Sequence, residues 1–188
     1  QGHPISTAET ASTFFETAAL KRIIALLPKG ERVIALHDKA QDSIQTVFRQ
    51  IACFTFERAL HEMIRAEGYV PKEKIADLMN HHMSSYLGKA VKLEREDGYF
   101  FVHWGHIRRF FYVYSYAYGQ LISSALHEEL EKDSSLIGKI DEFLAAGESE
   151  SPYDIFKSCG LDTKKPDIFV KGLISIEKDV AELERLVK

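Results

Sequence analysis

Apolar side chains recur every three or four residues along almost the whole chain, a periodicity that admits little besides α-helix. Between Ser6 and Leu27 they fall at Phe14, Ala18, Leu20, Ile23, Ile24 and Leu27, and Pro-Lys-Gly at 28–30 stops the pattern. A longer pattern from Glu31 to Ala66 runs through Val33, Ile34, Ile44, Val47, Phe48, Ile51, Phe54, Leu60 and Ile64, and closes at Gly68. Pro71 suits the first turn of a third helix, which Gly88 ends. The linking stretch KLEREDGYFFVHW, 92–104, is the one place expected to form a strand or hairpin. An aromatic-loaded helix is expected over 106–131, shorter ones over 134–146 and 151–158, and a last amphipathic helix from Pro166 to the C-terminus. No repeat, low-complexity tract or linker interrupts this order. The expected fold is all-α, a multi-helix bundle forming a single domain over 1–188.

Such a bundle could serve many ends, and charge narrows them. The net charge is −4, and the only basic pair beside aromatics is Arg108-Arg109, so the chain carries no nucleic-acid footprint. A helix-turn-helix regulator needs a compact pair of helices with a basic recognition helix, whereas the first 60 residues give one medium helix and one very long one. Cys53 and Cys159 lie far apart with no Cys-x-x-Cys spacing, which argues for a reducing compartment, a cytoplasmic location and no cysteine-built zinc site. No apolar run is long enough to span a bilayer, and QGHPISTAE at the start lacks the features of a secretory signal. It also lacks a methionine, so the chain is expected to be processed or excised from something longer.

Glu9 has two readings. Ser6-Thr7-Ala8-Glu9 fits a capping box, in which the serine hydroxyl accepts from the third amide and the glutamate reaches back to the cap residue. Alternatively, Glu9 is one ligand of a metal whose other ligands lie outside this stretch. Two segments resemble half of a His-Glu-x-x-His zinc site, His61-Glu62 and His127-Glu128. Their fourth following positions hold Arg65 and Glu131 instead of histidine, so neither is such a site. His81-His82 places adjacent rings about 100° apart on a helix, a poor chelating geometry.

The stretch HWGHIRRFFYVYSYAYG, 103–119, carries tyrosines at 112, 114, 116 and 118. On a helix, Tyr112 and Tyr116 share one face, and Tyr114 and Tyr118 another. Each phenol hydroxyl requires a hydrogen-bond partner. Four in one short segment fit either a polar cleft wall or a wet interface between helices.

AETASTFFE near the start and HIRRFFYVYSYAYG about a hundred residues later together resemble the C-terminal part of the catalytic domain of oligoendopeptidase F-type zinc metallopeptidases, relatives of thimet oligopeptidase. TVFRQIACFTFERALHEMI at 46–64, YLGKAV at 86–91 and AAGESESPYDIFKSCGLD at 145–162 resemble further segments of that family, in the same order, so the likeness covers essentially the whole chain. It implies part of a larger, mostly helical zincin-type body split by a deep channel, acting on short peptide substrates. It implies that zinc is held by both histidines of a His-Glu-x-x-His helix and by Glu9 as third ligand. It also implies that His106, with Tyr112 and Tyr116, contacts the peptide and donates to the oxyanion, Tyr114 being the substitute if the register slips. His-Glu-x-x-His occurs nowhere in the sequence. The chain is therefore expected to be inactive alone, to need the N-terminal part of its polypeptide as partner, and to self-associate through apolar surface left uncovered. The competing expectation is a non-catalytic helical module for protein interaction.

Overall fold

The computed structural model describes residues 4–147 and 149–188. The first residues of the N-terminal stretch and Glu148 of the AAGESES motif lie outside them. Among the described residues there are eight α-helices and no strand. They are α1 (Ile5–Leu26), α2 (Lys29–Ile44), α3 (Gln50–Glu67), α4 (Lys72–Leu87), α5 (Tyr114–Lys132), α6 (Ile137–Ala146), α7 (Pro152–Ser158) and α8 (Asp167–Val187). The all-α expectation holds.

The chain gathers into two compact units, one made of 1–44 with 118–188 and the other of 45–117. In the first, Phe14 of α1 joins Ile122, Ala125 and Leu126 of α5, Ile140 and Phe143 of α6, Phe156 of α7 and Ile168 of α8 in one buried cluster. Burying a side chain of this kind stabilises by about 1.5–3 kcal/mol. Tyr118 belongs to this core, its ring 5.9 Å from Phe156 and 5.7 Å from Phe169. Helices α2 and α8 are pinned by Lys39 and Asp179, 2.6 Å apart and largely shielded from water, and by Arg32 with Glu182.

The long pattern from Glu31 to Ala66 resolves into α2, a π-helical turn over Gln45–Arg49 where the second unit begins, and α3. Ala52, Cys53, Phe56 and Leu60 of α3 pack with Met79 and Met83 of α4, and with Trp104 and Val113. The expected strand or hairpin at 92–104 is instead a 3₁₀-helix, Arg95–Val102. Asp97 accepts the Glu94 backbone N–H at 2.8 Å and so caps its start. Gly98 lies so close to α4 that a Cβ there would stand 2.2 Å from the Ala76 carbonyl oxygen. Phe100, Phe101 and Trp104 reach one core at helical spacing, which the alternation of a strand would have split between two faces.

The helix expected over 106–131 begins only at Tyr114. Gly105–Arg108 is a separate 3₁₀ turn, after which Phe110 (φ 47°) and Phe111 (φ 60°) take the left-handed conformation. No glycine or asparagine marks the break, and each such residue costs about 1–2 kcal/mol in intrinsic backbone energy.

Candidate active site

The break in the aromatic segment decides where its side chains go. His106 sits on the 3₁₀ turn, Tyr112 in the connection after the two left-handed residues, and Tyr116 in the first turn of α5. Tyr112 and Tyr116 therefore do not share the face of one helix, as regular spacing suggests. The reversal at 110–111 brings them together all the same. The Tyr112 ring lies nearly parallel to His106, with centroids 5.7 Å apart and 21° between planes. Tyr116 meets Tyr112 edge-on at 5.2 Å, and its hydroxyl is 3.0 Å from His106 Nε2. All three side chains are half-buried, and the Arg109 guanidinium stands 5.8 Å from the Tyr112 ring centre.

The chemistry of this trio turns on one proton. If His106 Nε2 accepts, the Tyr116 phenol spends its hydrogen inside the protein. If Nε2 carries hydrogen, it donates to the phenol oxygen, and the Tyr116 O–H is left to point at a substrate. In the second case the Tyr116 hydroxyl has a hydrogen to give, the type of donor that stabilises a developing oxyanion.

Tyr114 is exposed and packs elsewhere, edge-on to Phe54 at 6.2 Å, where it lines an open hollow with Arg58 and Phe111. Tyr118 is a core residue. The four tyrosines thus divide among three environments.

Glu9 belongs to the other compact unit. The capping-box reading does not hold. Helix α1 is capped by Pro4, whose carbonyl accepts from the Thr7 and Ala8 amides at 3.1 Å, and from the Thr7 hydroxyl at 2.8 Å. The helix starts one residue ahead of Ser6, so Ser6 and Thr7 are inside it and Glu9 falls in its second turn, beyond reach of the cap. Glu9 instead packs on Gly119 of α5, where an added Cβ would come within 2.9 Å of the Glu9 Cβ. Only glycine lets α5 approach α1 so closely there. A catalytic zinc needs three protein ligands and an open position. Among the described residues no three His, Cys, Asp or Glu side chains converge. The half-buried Glu9 carboxylate is a donor of the type zinc accepts.

The remaining candidates are structural. His127 is buried, stacked 4.2 Å from the Phe14 ring, and donates from Nε2 to the Phe14 carbonyl at 2.9 Å. Burial holds its pKa below the usual value, against the opposing pull of that bond. His82 lies 2.9 Å from the Thr55 hydroxyl and is likewise lowered, chiefly by burial. Both cysteines are free and buried. Burial pushes the Cys53 thiol up to about 11, with Arg49 opposing and Glu57 adding to the rise, so it is no nucleophile at neutral pH.

Sequence reasoning missed Glu57. It is fully buried on α3, and its Oε1 accepts the Phe111 backbone N–H at 2.9 Å. A signal was there: Glu57 stands four residues after Cys53 and three before Leu60, on the apolar stripe.

His106, Tyr112 and Tyr116 thus form one mutually packed aromatic trio on a helical framework. The chain belongs to peptidase family M3, whose model matches residues 1–174. Among curated relatives, Oligopeptidase PepF of Bacillus subtilis is 26% identical, over 98% of this chain and 28% of its own length. Oligoendopeptidase F of Lactococcus lactis subsp. cremoris, described as plasmid, is 30% identical over 99% of this chain and 31% of its own. The solved structure of oligoendopeptidase-F from Enterococcus faecium superposes with a TM-score of 0.86 at 26% identity, covering 98% of this chain and 36% of that one. A putative peptidase from Chlamydophila abortus gives 0.90 at 25% identity, with 98% and 31% covered. The chain thus spans less than a third of the length of these two curated relatives.

Proposed function

We propose that this chain supplies the substrate-binding wall and one metal ligand of a zinc-dependent oligopeptidase that hydrolyses short peptides, and that it is inactive alone. The observation that carries this reading is the His106–Tyr112–Tyr116 cluster, half-buried and held by the surrounding fold. A peptide carbonyl set against it gains polar hydrogen where negative charge develops. Removing one such donor costs about a hundredfold or more in kcat. Membership of a peptidase family and the relatives' oligopeptidase names support the peptide substrate.

Glu9 contributes one carboxylate to zinc, the remaining ligands coming from outside this chain. Its seat against Gly119, rather than at a helix cap, supports that role. Helix α1 is apolar on more than one side: Phe14 and Ile24 are buried, while Phe15, Ile23 and Leu26 are exposed. That pattern suits a helix covered on several faces by further protein, here the N-terminal part of the same polypeptide. No helix among the described residues is long and apolar enough to cross a membrane. Free buried cysteines support a reducing, cytoplasmic setting.

The same exposed residues favour the second reading, a non-catalytic interaction module. Zinc analysis and a quenched-peptide assay separate the two when run on this chain alone and on the whole natural polypeptide that contains it. The proposal expects zinc and peptide cleavage only in the latter, with Glu9→Gln lowering its zinc content. A zinc-free, inactive whole polypeptide would leave the interaction module standing.

A further inference from the structure

We infer that Glu57 is a positioning residue for Tyr112: its carboxylate holds the left-handed turn at Phe110–Phe111 in place through the Phe111 amide. Three observations meet here. The turn has two consecutive non-glycine residues at positive φ, a conformation that persists only where its surroundings over-determine it. Phe110 is 84% exposed and contributes no burial to hold the first of them. The second is tied by its backbone N–H to a carboxylate with no exposed surface, 54 residues earlier in the chain.

Glu57 is held for this one bond. Its other oxygen, Oε2, is buried without a hydrogen-bond partner among the described residues. Leaving a buried polar group so poorly partnered is expensive, and a side chain needed only for volume at this point of the α3–α4 core would be apolar. The Phe111 ring adds lesser support, edge-on to Phe54 at 5.9 Å and tilted against His61 at 5.0 Å. With the turn fixed, the residue that follows is delivered to the His106 ring. With it released, relaxation to ordinary φ would swing Tyr112 off the stack. The bond runs to the Phe111 main chain, so Glu57 acts through the backbone.

This inference deepens the proposed function and rests on it for its kinetic part alone. The experiment compares two conservative variants in the whole natural polypeptide. Glu57→Gln keeps an acceptor oxygen at the same reach; Glu57→Asp keeps the carboxyl group and draws the acceptor back by one methylene. Amide hydrogen exchange across 109–113 and kcat and KM for a quenched peptide are measured for both. Glu57→Asp is expected to speed exchange in that segment and to lower kcat, each about tenfold, with KM within about twofold. Glu57→Gln is expected to stay within about threefold of wild type in both. Should Glu57→Asp fail to fold, Glu57→Met, which fills similar volume without an acceptor, takes its place. An Asp or Met variant that protects 109–113 as the wild type does, or a Gln variant as damaging as either, overturns the inference. If the peptidase reading alone is wrong, no form cleaves peptide while the exchange contrast remains. If the positioning role alone is wrong, the wild type cleaves and the contrast is missing.

Discussion

Glu57 and His127 are both polar side chains sealed within helical packing, one in each compact unit, and they are held in opposite ways. His127 is neutralised by its surroundings: its ring lies flat on Phe14, its Nε2 hydrogen goes to the Phe14 carbonyl, and burial disfavours its charge. Glu57 leaves one oxygen without a partner among the described residues and commits the other to a strained turn. A buried polar group that is satisfied and stacked is part of the packing. One that is half-satisfied, at the foot of a strained segment carrying conspicuous aromatic side chains, marks where stability has been set against positioning.

The largest expected effect is on the packing side. His127→Ala removes a buried ring and leaves a cavity beside Phe14, and should destabilise by about 2–3 kcal/mol, read as a lower urea midpoint. A loss under about 1 kcal/mol would mean the ring is not part of the core. Gly119→Ala tests the approach of α5 to α1 at Glu9. The added methyl meets backbone and Cβ rather than a flexible tip, and should cost about 1–2 kcal/mol. An unchanged midpoint would show that the two helices have slack there.

The pH dependence of stability tests how His127 is held. Because the folded-state pKa of His127 lies below its ordinary value of 6.5, the unfolded chain binds more protons just below that pH. Stability should therefore fall as pH drops through 6.5, levelling off once the folded form protonates too. His82 acts in the same direction. Urea midpoints at pH 7.5 and 5.5 check the sign, and His127→Phe should shrink the difference. A midpoint that rises on acidification would refute the assignment. The smallest effect is at the turn itself. Phe110→Gly relieves one left-handed residue at an exposed position and should raise stability by at most about 1 kcal/mol. A loss there would show that the Phe110 side chain is held by something other than backbone geometry.

Most of the fold was legible because periodicity reports which face of a helix is buried. The region 92–104 misled because tyrosine, phenylalanine and valine in succession favour strands locally. Tertiary packing overrode that preference by seating Gly98 against Ala76. His106, Tyr112 and Tyr116 were visible as chemistry-bearing residues, but the route that joins them was not. Spacing put Tyr112 and Tyr116 on one helix, whereas the chain unites them by a reversal that no residue type at 110 or 111 announces. Glu9 shows the limit of local rules, since Pro4 starts the helix one residue before the serine that a capping motif would use. Gly119 was silent for a similar reason: its meaning depends on a helix more than a hundred residues away in sequence.

Tyr112→Phe in the whole natural polypeptide reaches the central claim most directly, because it removes one hydroxyl and leaves the stacked ring in place. The account predicts a fall in kcat of about a hundredfold with KM within about twofold, as loss of a contact made mainly in the transition state requires. An unchanged kcat, at any KM, would contradict it.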